Sequence, residues 1–279
     1  MHSPRSPGER VRVRALSHPH PDWLTPAHAM PWPVATPFRM RPNLEKLDAD
    51  APALLLRDEL SDVYQRERNQ VLAEHSERAL VGAANAPTLA AIHDLAQSPQ
   101  EDFVILKHDG ETLRTEYLSV CFPSRWDPRD KLGLDFAAIH APVADNQTLL
   151  AAGQNIMTMA FMKQPMLRHV WLIVPSASLD QHPDKNQAWW TEVLRDMSPL
   201  LPNLFFRVER QTTWPLPQFQ RAVFFIRVMM SPLVDVLATT PARASELAAS
   251  LRSMTPEVVA YRGMTDAMPR LLAELDHFE

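Results

Sequence analysis

A single cysteine, Cys121, stands in 279 residues. That count excludes an intrachain disulfide, a Cys-rich zinc site and a protein-ligated iron–sulfur cluster. It makes a reducing, cytoplasmic compartment the expectation. The 6 glycines are too dispersed for a Gly-x-Gly-x-x-Gly or P-loop fingerprint. The chain therefore has no recognisable motif for holding its own nicotinamide or flavin. A nucleophile elbow and His-Glu-x-x-His are also missing. No apolar run reaches the ~18 residues of a membrane span. Lys and Arg number 28 against 33 Asp and Glu, a net charge of -5. No basic field recruits nucleic acid or an anionic membrane. The start is Arg-rich (Arg5, Arg10, Arg12, Arg14) but lacks the apolar core of a secretory signal.

What is present is ordinary for a soluble globular protein: 46% hydrophobic and 22% charged residues, with ample material for a core. Many of the 26 prolines fall in residues 1–42. This stretch reads as an irregular extension lying across the domain through Trp23, Trp32 and Phe38. Residues 43–279 read as one domain. Within it, residues 52–97 read as helices, with Leu56, Leu60, Val63, Tyr64 and Val71 near helical spacing. Phe103 to Lys107 and Leu113 to Cys121 form a hairpin about the turn pair Asp109-Gly110. A short helical segment ends at His140, just before Pro142. Thr148 to Lys163 reads as one amphipathic helix, and Arg168 to Val174 as a strand. Residues 176–203 read as a polar, irregular insertion with a helix at Ala188 to Met197. Leu204 to Thr212 and Ala222 to Met230 are strands joined by a longer loop at Trp214 to Gln218. Helices at Ala242–Ser253 and Pro256–Glu274 close the chain. Two strands, short helices, a longer helix and three strands is the element order of a PAS domain. The predicted class is α+β, a PAS-like antiparallel sheet with N- and C-terminal helical flanks.

Six short motifs occur in order. They are Gln100-Glu101-Asp102, Cys-Phe-Pro-Ser-x-Trp at 121–126, Lys131-Leu132-Gly133 with Ile-His-x-Pro-Val at 139–143, Arg207-Val208-Glu209-Arg210-Gln211-Thr212, Phe225-Ile226-Arg227 with Pro232-Leu233, and Tyr261-x-Gly263. Together they resemble the α subunit of haem-dependent oxidative N-demethylases, from about Pro37 onward. The resemblance implies the same PAS core. It also implies a haem b enzyme subunit that uses O2 to demethylate a small secondary amine, giving formaldehyde and a primary amine. The lone cysteine excludes Cys-x-x-Cys-His attachment, so the haem would be held non-covalently. Electrons would come from flavin and iron–sulfur reductase subunits. The rival class is a non-catalytic haem or gas-sensing PAS protein. The chain departs from the family pattern at Ala144 and Asn146, and at Thr213-Trp214-Pro215.

His140 sits on a mostly apolar segment, where a buried, backbone-bonded histidine is the common case. The resemblance makes it the iron ligand instead. Period-2 alternation puts Arg207, Glu209 and Gln211 on one face of their strand and Phe206, Val208 and Arg210 on the other. A buried Arg210 needs an anion, whether a propionate or a protein carboxylate such as Asp102. Arg227 on the next strand raises the same question. Expected catalytic residues are Arg210, Arg207 and Glu209, and expected cofactor contacts are His140, Arg210, Arg227 and Trp171. Arg168 fits the family pattern loosely, and Trp171 also suits a core position. The Met157–Met166 methionines suit core filling, and Cys121 an inert buried thiol. His20-Pro-Asp22 and His182-Pro-Asp184 have the His-x-Asp spacing of a non-haem iron site, but tripeptides of this kind arise by chance in a chain with 11 histidines.

Overall fold

Asp109 closes the first hairpin with its own side chain: its carboxylate accepts from the Glu111 and Thr112 amides at 2.9 and 2.8 Å. Gly110 follows at φ 106°, a conformation that favours glycine. In this computed structural model, which describes residues 21–47, 54–185, 189–195 and 197–278, the hairpin belongs to one antiparallel sheet. Its strands are β1 (Glu45–Lys46), β2 (Leu80–Gly82), β3 (Asp102–His108), β4 (Leu113–Ser119), β5 (Met166–Val174), β6 (Phe205–Leu216) and β7 (Arg221–Pro232). The spatial order is β1-β5-β6-β7-β3-β4-β2. The chain is thus α+β. The strands at both edges, β1 and β2, were not anticipated, because 2 and 3 residues carry no alternation to read.

The helices are α1 (Ser61–Ala79), α2 (Ala86–Leu95), α3 (Phe136–His140), α4 (Gln147–Ala151), α5 (Gly153–Ile156), α6 (Trp189–Arg195), α7 (Leu233–Ala238), α8 (Arg243–Arg252), α9 (Pro256–Tyr261) and α10 (Met268–Asp276). The long helix expected over Thr148 to Lys163 is instead α4, α5 and a π-helical stretch, Met157–Lys163. At the break, a Cβ on Gly153 would meet the Phe136 ring at 3.0 Å, so the close packing of α3 needs glycine there. The helix expected from Pro256 to Glu274 also splits. Gly263 takes φ +67°, and the Gly263 and Met264 amides reach back to the Ala260 and Val259 carbonyls at 2.8 and 3.0 Å. That is a Schellman stop.

Two further expectations change. β6 runs through Trp214 and Pro215 to Leu216, and a tight turn at Pro217–Phe219 replaces the longer loop, with Gln220 at φ 52°. The polar, irregular insertion expected over 176–203 carries its helix at α6, but its first part is buried at Leu179, Asp180, Gln181 and His182. Asp180 pairs with Arg78 at 2.9 Å and Lys185 at 3.0 Å, which anchors that loop to α1.

One face of the sheet carries Trp171, Ile173, Phe206, Val208 and Met229 against Leu233, Leu247, Leu251 and Leu271 of the C-terminal helices. The proline-rich stretch crosses this cluster. Trp32 lies 5.2 Å from Phe206 and Phe38 5.9 Å from Trp171, ring to ring. Residues 1–20 of that extension, with His20, lie outside the described residues. Farther along the same face, Ile92 of α2 packs on Phe103, Ile105, Val223 and Phe225. The opposite face is crossed by the connection between β4 and β5, and there the packing leaves a cavity.

Candidate functional site

The cavity has a volume of about 460 Å³. This is within the ~300–1,000 Å³ usual for ligand pockets. Its floor is the even face of β3, β5 and β7 and the odd face of β6: Val104, Leu106, Arg168, Leu172, Glu209, Gln211, Thr213, Phe224 and Ile226. Its roof is Phe136, Ile139 and His140 of α3 with Ile156, Met157 and Phe161. The π-helical stretch widens the turn that delivers Met157 and Phe161.

Local chemistry fixes the roof. β2 ends opposite Tyr117, so the outer edge of β4 is open at Thr115. The Thr115 amide bonds the Leu134 carbonyl and the Gly133 amide bonds the Thr115 carbonyl, both at 3.0 Å. The open edge thus seats the start of α3 beside the sheet. Asp135 caps α3 by accepting from the Ala138 amide at 2.9 Å. At the other end, the His140 Nδ1 lies 2.7 Å from the Phe136 carbonyl oxygen. A carbonyl can only accept, so Nδ1 carries the proton and Nε2 keeps its lone pair. Burial pushes the His140 imidazole below the usual histidine range. The Phe136 carbonyl opposes that shift, and the charges of Arg168 and Lys131 add to it. The ring is therefore neutral near pH 7, the form that ligates metals.

The facing wall is polar. Glu209 is 8% exposed. Its Oε2 accepts from Gln211 Nε2 at 2.7 Å, and its Oε1 receives the Ser124 hydroxyl. Arg168, paired with Gln211 across the β5–β6 ladder, lies below the usual arginine range through burial, with Glu209 pulling the other way. Arg125, Lys131 and Arg262 also border the cavity, so cations outnumber the carboxylate Glu209 on its walls. Arg262 is lowered to about 10 by burial. It stacks on Trp171 at 4.8 Å and Phe38 at 4.7 Å. Arg125 adopts φ 67° and packs against Gly263, where a Cβ would come within 2.8 Å of its guanidinium.

Of the residues singled out from sequence, His140 and Glu209 line the cavity. Arg207 lies next along the Glu209 face but is fully buried behind it. It donates to Ser124 Oγ at 2.9 Å and to the Phe122 and Leu179 carbonyls at 2.8 and 3.0 Å. Arg210, Arg227 and Trp171 are carried to the opposite face by the strand alternation. Arg227 pairs with Asp58 at 3.0 Å and lies 3.5 Å over the Tyr64 ring. Arg210 faces Arg227 across the ladder, reaches the Leu54 carbonyl and is drawn toward Glu101. Asp102, considered as a partner for Arg210, pairs with Arg68 instead. Trp171 is core. Cys121 is buried, and burial pushes its thiol up to about 12. His182 is buried 3.4 Å from Asp127, inside a loop clasp. Among the described residues no metal-binding cluster of His, Cys, Asp and Glu forms.

Sequence reasoning gave no site role to Arg168, Gln211, Ser124, Arg125 or Arg262. Signals existed: Gln211 shares the predicted Glu209 face, Ser124, Arg125 and Arg262 sit inside quoted motifs, and Arg168 fits the family pattern loosely. Among the described residues no helix is long and apolar enough to cross a membrane. The family model for haem-dependent oxidative N-demethylase, α subunit-like proteins matches residues 54–272. That span takes in β2 to β7, the crossing helices and every side chain on the cavity walls except Leu44, and the chain belongs to this family.

Proposed function

We propose that the cavity holds haem b non-covalently, with His140 as the iron ligand, and that the chain is the oxygenase subunit for oxidative N-demethylation of a small secondary amine. One observation carries the reading. A neutral imidazole, its Nδ1 tied to the Phe136 carbonyl, stands in an apolar roof opposite a polar wall of Arg168, Glu209 and Gln211. The backbone bond fixes the tautomer and the ring orientation, as second partners of ligating histidines do. The donor set fits the group. An apolar slot would suit a porphyrin, His140 would supply an imidazole for the iron, and Arg125, Lys131 and Arg262 would offer cations for propionates.

When bound, haem supplies O2 activation. The chain's own residues do the rest. Glu209 would present a carboxylate to a protonated amine, and Arg168 would hold N–H donors on the same wall of the cavity. Phe161, Ile156 and Met157 exclude water. In the overall reaction one N-methyl C–H becomes C–OH, the second oxygen atom leaves as water, and the carbinolamine collapses to formaldehyde and the primary amine. The electrons come from a flavin and iron–sulfur reductase partner, a role supported by the family's description as an α subunit. The PAS-like reading is supported by the order β5-β6-β7-β3-β4, with the crossing helices on one face. Residues 43–279 would form the haem domain, with residues 21–42 packed across it through Trp32 and Phe38.

The test is the absorption spectrum of the purified chain. A Soret band is expected in the wild type and lost in His140→Ala, with circular dichroism unchanged. Formaldehyde should form from dimethylamine in proportion to haem when the ferric protein is reduced in air. A fully occupied His140→Ala with an unaltered spectrum refutes the ligand assignment. Full haem with no formaldehyde from any N-methyl amine assigns a sensing role instead.

A further inference from the structure

We propose that Ser124 is a positioning residue: it links the buried Arg207 cation to Glu209 and holds that carboxylate as an oriented hydrogen-bond acceptor facing the cavity, where it receives an alkylammonium ligand. The inference deepens the proposed reading of the cavity and rests on it for the identity of the ligand.

Arg207 is fully buried. Its Nη1 and Nη2 donate to the backbone carbonyls of Leu179 and Phe122, and its Nε donates to Ser124 Oγ at 2.9 Å. A buried guanidinium in contact with neutral groups only is costly unless a counter-charge lies close. Glu209 is the nearest in effect, the strongest of the acidic groups that raise Arg207 against its burial. The serine stands between them. Arginine has no acceptor atom, so Ser124 Oγ must accept from Arg207. Its single proton is then left for Glu209, and the hydroxyl lies in contact with Oε1. Gln211 Nε2 donates to the other oxygen at 2.7 Å. Both carboxylate oxygens therefore have a fixed donor, and each retains a lone pair toward the cavity.

The backbone keeps Ser124 in place. Pro123 precedes it, and Arg125 follows in the left-handed region at φ 67°. The Arg125 amide bonds the Gln181 carbonyl at 3.0 Å, and the Gln181 amide bonds the Pro123 carbonyl at 3.3 Å. A residue held by its neighbours on both sides suits a relay better than a loop contact. The other charged or titratable groups that face Glu209 are Arg168 from β5 and Tyr261 from α9, with Arg125, Lys131 and Arg262 on the cavity walls. Ser124 and Gln211 donate to its two oxygens and so orient it.

The test starts with the haem-free chain, so it does not depend on the haem reading. Infrared spectra are taken of protein labelled with carbon-13 at the Glu carboxyl, and the Glu209 band is identified by subtracting the Glu209→Gln spectrum. Ser124→Ala should shift this band, and Ser124→Thr, which keeps the hydroxyl, should restore it. The holoprotein is then titrated with dimethylammonium chloride and followed at the Soret band. Ser124→Ala should raise the apparent Kd about tenfold, the loss of ~1.4 kcal/mol, and Ser124→Thr should recover most of it. A Glu209 band unmoved in folded Ser124→Ala overturns the proposal, and so does a shift that threonine fails to restore. If the chain takes up no haem, the function reading fails while the infrared result still decides the role of Ser124. A shifted band with unchanged amine affinity refutes the ligand-binding half.

Discussion

Replacing Asp102 with alanine should come close to unfolding the protein. Asp102 is 1% exposed and joins three separate pieces of chain. Its Oδ1 meets the guanidinium of Arg68 on α1 and accepts the Cys121 amide at 2.8 Å, while Oδ2 accepts the Phe122 amide at 2.8 Å. Arg68 itself is 6% exposed, with Ser119 Oγ at 3.2 Å as its other partner. Removing the carboxylate strands a buried guanidinium, which costs ~3–5 kcal/mol. It also leaves two backbone amides without an acceptor, at ~1–3 kcal/mol each before relaxation. These costs overlap, because water entering the space repairs part of each. A net loss of about 5 kcal/mol is expected, against a total stability of ~5–15 kcal/mol. Asp102→Asn keeps an acceptor oxygen for one amide and should lose about 3 kcal/mol. The assay is urea unfolding followed by tryptophan fluorescence, for Asp102→Ala, Arg68→Met and the double variant. The double variant should be less destabilised than the two single losses added together, by about 2 kcal/mol. Additive losses, or a loss below about 1 kcal/mol in Asp102→Ala, would show that the pair does not support the fold as described.

Two more predictions concern the same loop. Burial raises the Asp127 carboxyl, yet hydrogen bonds from the Arg129 side chain and amide, with the His182 ring 3.4 Å away, outweigh it and hold the group at about 2. A folded value below the unfolded ~3.9 means stability that is present above about pH 4 and lost as pH falls toward 2. Asp127→Asn should flatten the stability curve over that window, and parallel curves in variant and wild type refute the assignment. The Cys121 thiol, pushed up to about 12 by burial, should ignore a disulfide reagent at pH 8 until denaturant is added. Rapid labelling of the native protein would contradict its burial.

How far the sequence could be read follows from how each element is specified. The Asp-Gly hairpin, β5 and the β6–β7 pair were legible because turn chemistry and apolar runs are local signals. The breaks in the helices after β4 and in the last helix were not. The first lies where Phe136 packs against Gly153, a tertiary contact, and the second is the Schellman stop at Gly263, a glycine signal that periodicity passes over. The same limit governs the site. β6 is buried on both faces from Phe206 to Thr213. Its alternation separates Glu209 from Arg210 but does not say which face encloses a ligand. Only the crossing of α3 over the Glu209 face shows which face holds the cavity, and it moves attention from Arg210 and Arg227 to Arg168.

The motifs that looked like separate signatures turn out to be parts of one device. Gln100, Glu101 and Asp102 each hold a different segment. Gln100 donates to Asp58 at 3.1 Å, Glu101 accepts the Leu56 amide at 2.7 Å, and Asp102 caps Cys121 and Phe122. Glu101 and Asp58 balance the Arg210–Arg227 pair on the far side of the sheet. Asp102 instead fixes the turn that leads through Pro123 to Ser124, and Ser124 reaches Glu209. Spacing alone could not show this, since Asp102 and Ser124 are linked through β4 and a loop rather than by any period. The physical reason is that a fold with ionisable groups on both faces of one sheet must neutralise each buried charge locally. The Gln-Glu-Asp tripeptide does so for both faces: Gln100 and Glu101 serve the Arg210–Arg227 side, and Asp102, the first residue of β3, serves the other.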